Sequence, residues 1–252
     1  MSIVIKYGGN AMTDQATRRA VAAGLHDLGA SGVPPVVVHG GGPFIQAALD
    51  EAGLEHSFVR GLRVTSHAAM LVVERVLTML GKELAQEIGG AVGLTARDAN
   101  SLSAEVRDPD LGLVGRVTGV DLRAINALRA GGLVPVLACI AVGGHGTMLN
   151  VNGDEAASAV AGALGEGVVF LTNVPGVLDD PNDPATLLPD LTRVQVEERI
   201  RDGRISGGMI PKVEAALTAL TMGAPFAVIA DGRDAHGVKL ALAGGGTRLS
   251  AD

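Results

Sequence analysis

Short apolar runs, each cut off by glycine or a polar turn, alternate along the chain with longer segments whose apolar residues recur at helical spacing. Ile3–Ile5, Val36–Val38, Ala91–Leu94, Leu133–Ile140, Val168–Thr172 and Phe226–Ile229 are the runs. Their near-continuous apolar character predicts strands buried on both faces, as in a parallel sheet. Between them, 14–31 carries Ala20, Val21, Leu25 and Leu28 on one side, and Pro43 opens a second helix that continues through Leu49. Thr65 or Ser66 caps a long helix to about Gln86, striped by Leu71, Val72, Val76, Leu77, Leu80 and Leu84. Further helices are predicted at 121–130, 155–164 (Ala-rich), 193–202, Ile210–Met222 and, briefly, His236–Leu242. Strand–helix alternation of this kind predicts right-handed crossovers and a sheet covered by helices on both faces.

Three stretches depart from the alternation. Phe58-Val59 and Leu62–Val64 flank Arg60-Gly61, which predicts a small hairpin holding Arg63 beside a cleft. Thr95–Asp110 is polar and predicts a loop or hairpin at the edge of a lobe, and Ala141–Met148 predicts a hairpin. A break is expected before Asn150, so a soft boundary is placed after residue 149, between an N-terminal lobe (1–149) and a C-terminal lobe (150–252). No Gly/Ser linker separates them, so the lobes are expected to share one continuous sheet.

Composition narrows the functions. No run approaches the ~20 apolar residues of a membrane helix, and Lys6 with Gly8-Gly9 interrupts the first apolar segment before it could serve as a signal peptide. One cysteine, Cys139, excludes an internal disulfide, and six dispersed histidines give no metal-ligand spacing. These features predict a cytoplasmic protein. A net charge of −7, no Lys/Arg run and no Trp disfavour nucleic acid as a partner.

Chemistry concentrates at the glycine turns. Gly8-Gly9 follows the first strand and Gly40-Gly41-Gly42 the second, each before a helix, where backbone N–H groups gather for anions. Neither turn has the P-loop spacing. Lys6, Lys212 and Asp154 are the ionic candidates: two cations for a moving phosphoryl group, and a carboxylate to hold them. Each also has an ordinary structural reading, as a solvated lysine or, for Asp154, the N-cap of the Ala-rich helix. Arg63 offers a planar donor fork to a carboxylate, or else makes a surface ion pair. Asn150 and Asn152 offer amide groups, or else stabilise their turn. His39 ends a strand beside glycines, but without an acidic orienter it is not assigned as a base. Asp179, Asp180 and Asp183 form an acidic loop without calcium-loop spacing, and no metal ligand is assigned.

The ordered set Lys6-Tyr-Gly-Gly9, His39-Gly-Gly-Gly42, Gly61-Leu-Arg-Val-Thr65, Asn150-Val-Asn-Gly-Asp154, Leu171-Thr-Asn-Val-Pro-Gly-Val177 and Gly208-Met-Ile-Pro-Lys212 resembles the amino acid kinase family. Within it the chain is most similar to the branch acting on N-acetyl-L-glutamate in arginine biosynthesis. The resemblance implies an α/β fold, an open, mainly parallel αβα sandwich. Its N-terminal lobe would bind the amino acid and carry dimerisation, and its C-terminal lobe would bind ATP. By the same resemblance Lys6 would contact the transferring phosphoryl group, Lys212 would stabilise the nucleotide phosphates, and Asp154 would organise both. Gly8, Gly9, Gly41 and Gly42 would supply close backbone donors, while Arg63 and Asn150 would hold the substrate. Mg²⁺ would arrive with ATP.

The chain departs from the family pattern at Gly153, where this branch usually has alanine, and at Ala96, Ala99 and Asn100, where a glycine-containing turn is common. Gly153 also matches lysine-pathway relatives, so a kinase of carrier-protein-linked α-aminoadipate is the alternative, against which Gly61-Leu-Arg-Val-Thr65 speaks. A non-catalytic nucleotide- or amino-acid-binding regulator is a second alternative. The chain starts at its first core strand, without the extra N-terminal helix of arginine-inhibited hexamers, so a homodimer without strong arginine feedback is expected.

Overall fold

A computed structural model describes residues 3–32, 34–234 and 237–250. The chain opens with β1 (Ile3–Tyr7), α1 (Gln15–Ala30), β2 (Val36–His39) and α2 (Gly42–Glu51). The hairpin β3 (Phe58–Val59) and β4 (Leu62–Arg63) follows, then α3 (His67–Ile88), β5 (Ala91–Leu94), β6 (Leu102–Val106) and β7 (Val114–Val120). Next come α4 (Arg123–Ala130), β8 (Val134–Ala138), β9 (Ile140–Val142), β10 (Met148–Val151), α5 (Gly153–Leu164) and β11 (Gly167–Thr172). The chain continues through β12 (Asp190–Thr192), α6 (Arg193–Arg201), α7 (Ile210–Thr221), β13 (Ala227–Asp231), α8 (Gly237–Leu242) and β14 (Thr247–Ser250).

Eight strands form one sheet in the order β12-β14-β13-β11-β1-β2-β8-β5. Every pairing is parallel except β13 with β14. This is the open, mainly parallel sheet that the strand–helix alternation predicts. The first strand lies inside it: Val4 sits opposite Val36 of β2 and opposite Val168 of β11. Ile3, Val4 and Ile5 are wholly buried, each worth about 1.5–3 kcal/mol of transfer free energy. Alternation along the strand sends Ile3, Ile5 and Tyr7 to one apolar cluster, with Val21 and Leu25 of α1. Val4 goes to the other cluster, with α5 and α7.

Four elements differ from the sequence expectation. The run Leu133–Ile140 divides at Cys139, leaving β8 in the large sheet and β9 in a closed four-stranded barrel, β10-β7-β6-β9. Where a break was expected before Asn150, β10 continues to Val151, pairing with β9 and β7, so the barrel runs straight into α5. The edge strand β12 and its neighbour β14 carry no signal beyond three or four residues. Their pairing to each other, and of β14 to β13, is set by tertiary contact. Within the expected helix His236–Leu242, His236 lies outside the described residues.

Candidate active site

Lys6 follows from the strand that carries it. It shares the face of Val4, toward α5, and its ammonium meets Asp154 Oδ1 at 2.8 Å. Asp154 stands in the first turn of α5. It is not the N-cap: Asn152 fills that role, its Oδ1 accepting from Asp154 N at 2.8 Å and Glu155 N at 3.2 Å. The Asp154 side chain is therefore free to serve the lysine. The helix start is anchored again by Glu155, which accepts from Val117 N of β7 at 2.9 Å and pairs with Arg107.

Lys212, in the first turn of α7, stands apart from that ion pair and donates to Gly208 O at 3.0 Å. Burial holds its ammonium below the usual lysine range, while Asp154 pulls the other way and Lys6 reinforces the drop. The three charges thus share one electrostatic neighbourhood. Ser158 Oγ of α5 donates to Ala215 O of α7 at 2.9 Å, tying together the helices that bear Asp154 and Lys212.

The two glycine turns close on each other. A Cβ on Gly9 would lie 2.8 Å from Gly42 N and 3.0 Å from Gly41 N, so this approach requires glycine. A Cβ on Gly41 would strike Leu77 of α3 at 2.5 Å. Gly8 N is committed to Leu171 O at 3.1 Å, which pins its turn to β11.

Arg63 is buried and, among the described residues, makes no ion pair. Its guanidinium donates to Gly42 O at 3.2 Å and Gln46 Oε1 at 3.3 Å, with the Phe58 ring centroid 4.5 Å away. These are neutral acceptors, and burial lowers the arginine's pKa, opposed by Asp50. A buried cation on neutral partners is a ready receptor for a carboxylate. Asn150 joins it through Thr65: Asn150 Nδ2 donates to Thr65 Oγ1 at 3.1 Å, and that hydroxyl donates to Arg63 O at 2.8 Å.

Lys6, Gly9, Gly41, Arg63, Asn150 and Asp154 line one cavity of about 250 Å³. A second, of about 350 Å³, is lined by Asn173, Gly176, Ser206, Met209 and Lys212 among others. Gly8 lines neither cavity.

His39 is excluded from the chemistry by its direction. Lys6 pairs with Val38, so His39, one residue on, faces the opposite side of the sheet, against Gly81 of α3. Its Nδ1 bonds Gly40 O at 3.1 Å, Nε2 is buried without a partner among the described residues, and burial holds the ring neutral with a pKa of about 4. Cys139 donates its S–H to His39 O at 2.5 Å, and burial pushes the thiol up to about 12, which leaves it inert as a nucleophile. Of the acidic loop, Asp179 pairs with Arg199 and Arg204, while Asp180 and Asp183 accept local backbone N–H bonds. Among the described residues no three His, Cys, Asp or Glu side chains gather to hold a metal.

Two participants escaped the sequence reading: Thr65 was noted only as a possible helix cap, and Gln46 carried no signal because its partner Arg63 is distant in the chain. Asn152 takes the second of its two expected roles, stabilising its turn.

A mainly parallel αβα sandwich whose glycine turns meet beside the Lys6–Asp154 pair, with Lys212 on the wall of a separate cavity, has a phosphotransferase-like architecture. The sequence model of the amino acid kinase family matches residues 1–231. The chain belongs to the amino acid kinase family. It is 53% identical to the acetylglutamate kinase of Deinococcus radiodurans, over 98% of this chain and 99% of that protein. It is 42% identical to the acetylglutamate kinase of Nitrosospira multiformis, over 100% of this chain and 91% of that one. Among solved structures, smu.665 from Streptococcus mutans UA159 superposes with a TM-score of 0.81 at 32% identity, covering 100% of this chain and 99% of that chain.

Proposed function

We propose that the protein transfers the γ-phosphoryl group of ATP to the side-chain carboxylate of N-acetyl-L-glutamate, giving N-acetyl-L-glutamyl 5-phosphate and ADP in arginine biosynthesis. The observation that carries the reading is the Lys6–Asp154 pair on the wall of one cavity, with Lys212 on the wall of the next. The amino acid occupies the first cavity, walled mostly by the N-terminal lobe (1–149) and completed by Asn150 to Asp154, and the nucleotide the second, in the C-terminal lobe (150–252). Arg63 takes the substrate's α-carboxylate through its donor fork, and Asn150 adds amide hydrogen bonds. The side-chain carboxylate then faces Lys6 and the backbone donors of Gly9, Gly41 and Gly42.

One carboxylate oxygen attacks the γ-phosphorus, forming the new O–P bond as the bond to the β,γ-bridging oxygen breaks. The electron pair leaves with ADP. The acceptor is already an anion, so no general base is required. Lys6 neutralises the moving group, Lys212 the leaving phosphates, and Asp154 keeps Lys6 aimed and shields the two ammonium groups from each other. Gly8 serves through its turn, keeping Gly9 close to the transferring group. Mg²⁺ belongs to the nucleotide substrate, held by phosphate oxygens and water. The enzyme works in the cytoplasm as a homodimer, a reading supported by Leu71 and Met79, which α3 leaves 72% and 55% exposed. Leu71 thus departs from the core stripe that the sequence predicts for the long helix.

An ADP-release assay across N-acetyl-L-glutamate, glutamate, aspartate, carbamate, UMP and carrier-linked α-aminoadipate tests the assignment. Release with acetylglutamate alone is expected, and turnover should fall about 10²–10³-fold in Lys6→Ala and Lys212→Ala. Preference for the carrier-linked acceptor, or binding of ATP without ADP formation with any acceptor, overturns it.

A further inference from the structure

Arg63 is held on two sides. On one side is the Phe58 ring, in a two-stranded hairpin and 55% exposed. On the other is α2, whose Gly42 O and Gln46 Oε1 receive the guanidinium directly. Gln46 does not line the substrate cavity. It sits behind Arg63, and its amide has two orientations: Oε1 toward the guanidinium is attractive, whereas NH₂ toward it sets donors against donors.

The surroundings choose the first orientation. Gln46 Nε2 donates to the Asp50 carboxylate one turn along α2, at 3.3 Å and 3.5 Å to its two oxygens. The same nitrogen contacts His56 Nε2, and His56 is 2.9 Å from Asp50 Oδ1. The Asp50 carboxylate, which can only accept, thus takes the amide's nitrogen end and leaves its oxygen for Arg63, while His56 packs against the same carboxylate. Of the five N–H donors of a guanidinium, one goes to Gln46 and one to Gly42. The remainder stay available for a ligand carboxylate.

We propose that Gln46 is a positioning residue for acceptor binding. Its amide, oriented by Asp50, fixes the rotation of the Arg63 guanidinium so that the uncommitted edge of the fork meets the substrate's carboxylate. The inference rests on the reading of Arg63 as the carboxylate receptor. It adds that α2, through a side chain outside the cavity, sets affinity for the amino acid without touching phosphoryl transfer.

The test compares Gln46→Leu, Gln46→Glu, Arg63→Ala and the double variant Gln46→Leu/Arg63→Ala. Each is checked for folding by thermal melting, assayed by ADP release, and titrated with N-acetyl-L-glutamate and a non-hydrolysable ATP analogue. Gln46→Leu should raise KM for acetylglutamate roughly tenfold, the scale of one lost hydrogen bond to a charged group, with kcat and affinity for the ATP analogue largely unchanged. Gln46→Glu should raise KM further, because its carboxylate competes with the substrate for the fork. In the Arg63→Ala background, Gln46→Leu should add nothing. If Arg63→Ala impairs acetylglutamate binding while Gln46→Leu does not, or if the two effects add, the positioning role is refuted and the Arg63 assignment stands. If Arg63→Ala leaves acetylglutamate binding intact, both are overturned.

Discussion

Replacing Asp154 by Asn separates charge from scaffold. Asparagine keeps the shape of the side chain and can still accept a hydrogen bond from Lys6, which now lies 2.8 Å from the carboxylate. The pair is partly withdrawn from water, with side chains 13% and 20% exposed. Exchanging a charge-assisted bond for a neutral one there costs about 1 kcal/mol. Losing an acid from the first turn of α5 adds about 0.3–1 kcal/mol. The cap itself survives, because it belongs to Asn152. The expected total is about 1–2 kcal/mol of stability, read from urea unfolding. Turnover should suffer far more, about 10²–10³-fold, since Lys6 loses its anchor and faces Lys212 with no intervening negative charge. Asn152→Ala is the companion variant, expected to lose about 1 kcal/mol by uncapping α5 with a far smaller loss of turnover. A folded Asp154→Asn enzyme with parental ADP release refutes the charge-organiser role. Equal losses of turnover in the two variants reduce Asp154 to part of the helix start.

Two further outcomes follow from backbone and burial. Burial lowers the folded pKa of His39 to about 4, against about 6.5 for a free imidazole. The unfolded chain therefore takes up a proton in that window that the folded chain refuses, and stability falls as pH drops from the upper value to the lower. The scale is about 3 kcal/mol; His39→Asn should flatten the difference between urea midpoints at neutral and acid pH, and an unchanged slope contradicts the burial argument. Ala99 adopts a left-handed φ of 58° at an exposed turn, so Ala99→Gly should stabilise by about 0.5–1 kcal/mol after the entropy of glycine is counted. A lowered melting temperature would show that the turn carries no such strain.

The large sheet was legible because its central strands are buried on both faces and must be apolar throughout, as Val36–Val38 shows. The barrel was not, because its strands are short and interrupted: Gly115 and Gly119 break up β7, while Gly143 to Gly146 separate β9 from β10. The placing of β6 beside β9 depends on contacts remote in sequence. At the site, the charged residues stood out because an isolated cation or acid at a glycine turn has few packing explanations. The N-cap was misplaced by two residues, since Asn152 and Asp154 are both good caps and only the observed start of α5 at Gly153 chooses between them. Gln46 was invisible for a different reason. An amide on an amphipathic helix looks like solvent-facing surface until the hairpin folds Arg63 onto it.

The position of β1 bears on how the chain is made. Its first edge partner, β2, follows soon after at Val36, but the second, β11, begins only at Gly167. During synthesis the first strand must wait through α2, α3 and the whole barrel with one row of backbone N–H and C=O groups unpaired. That open edge, flanked by the wholly apolar Ile3, Val4 and Ile5, is a template for mispairing with another nascent chain. Truncated products ending before β11 therefore carry an exposed sheet edge, and that edge disappears only when β11 docks beside β1.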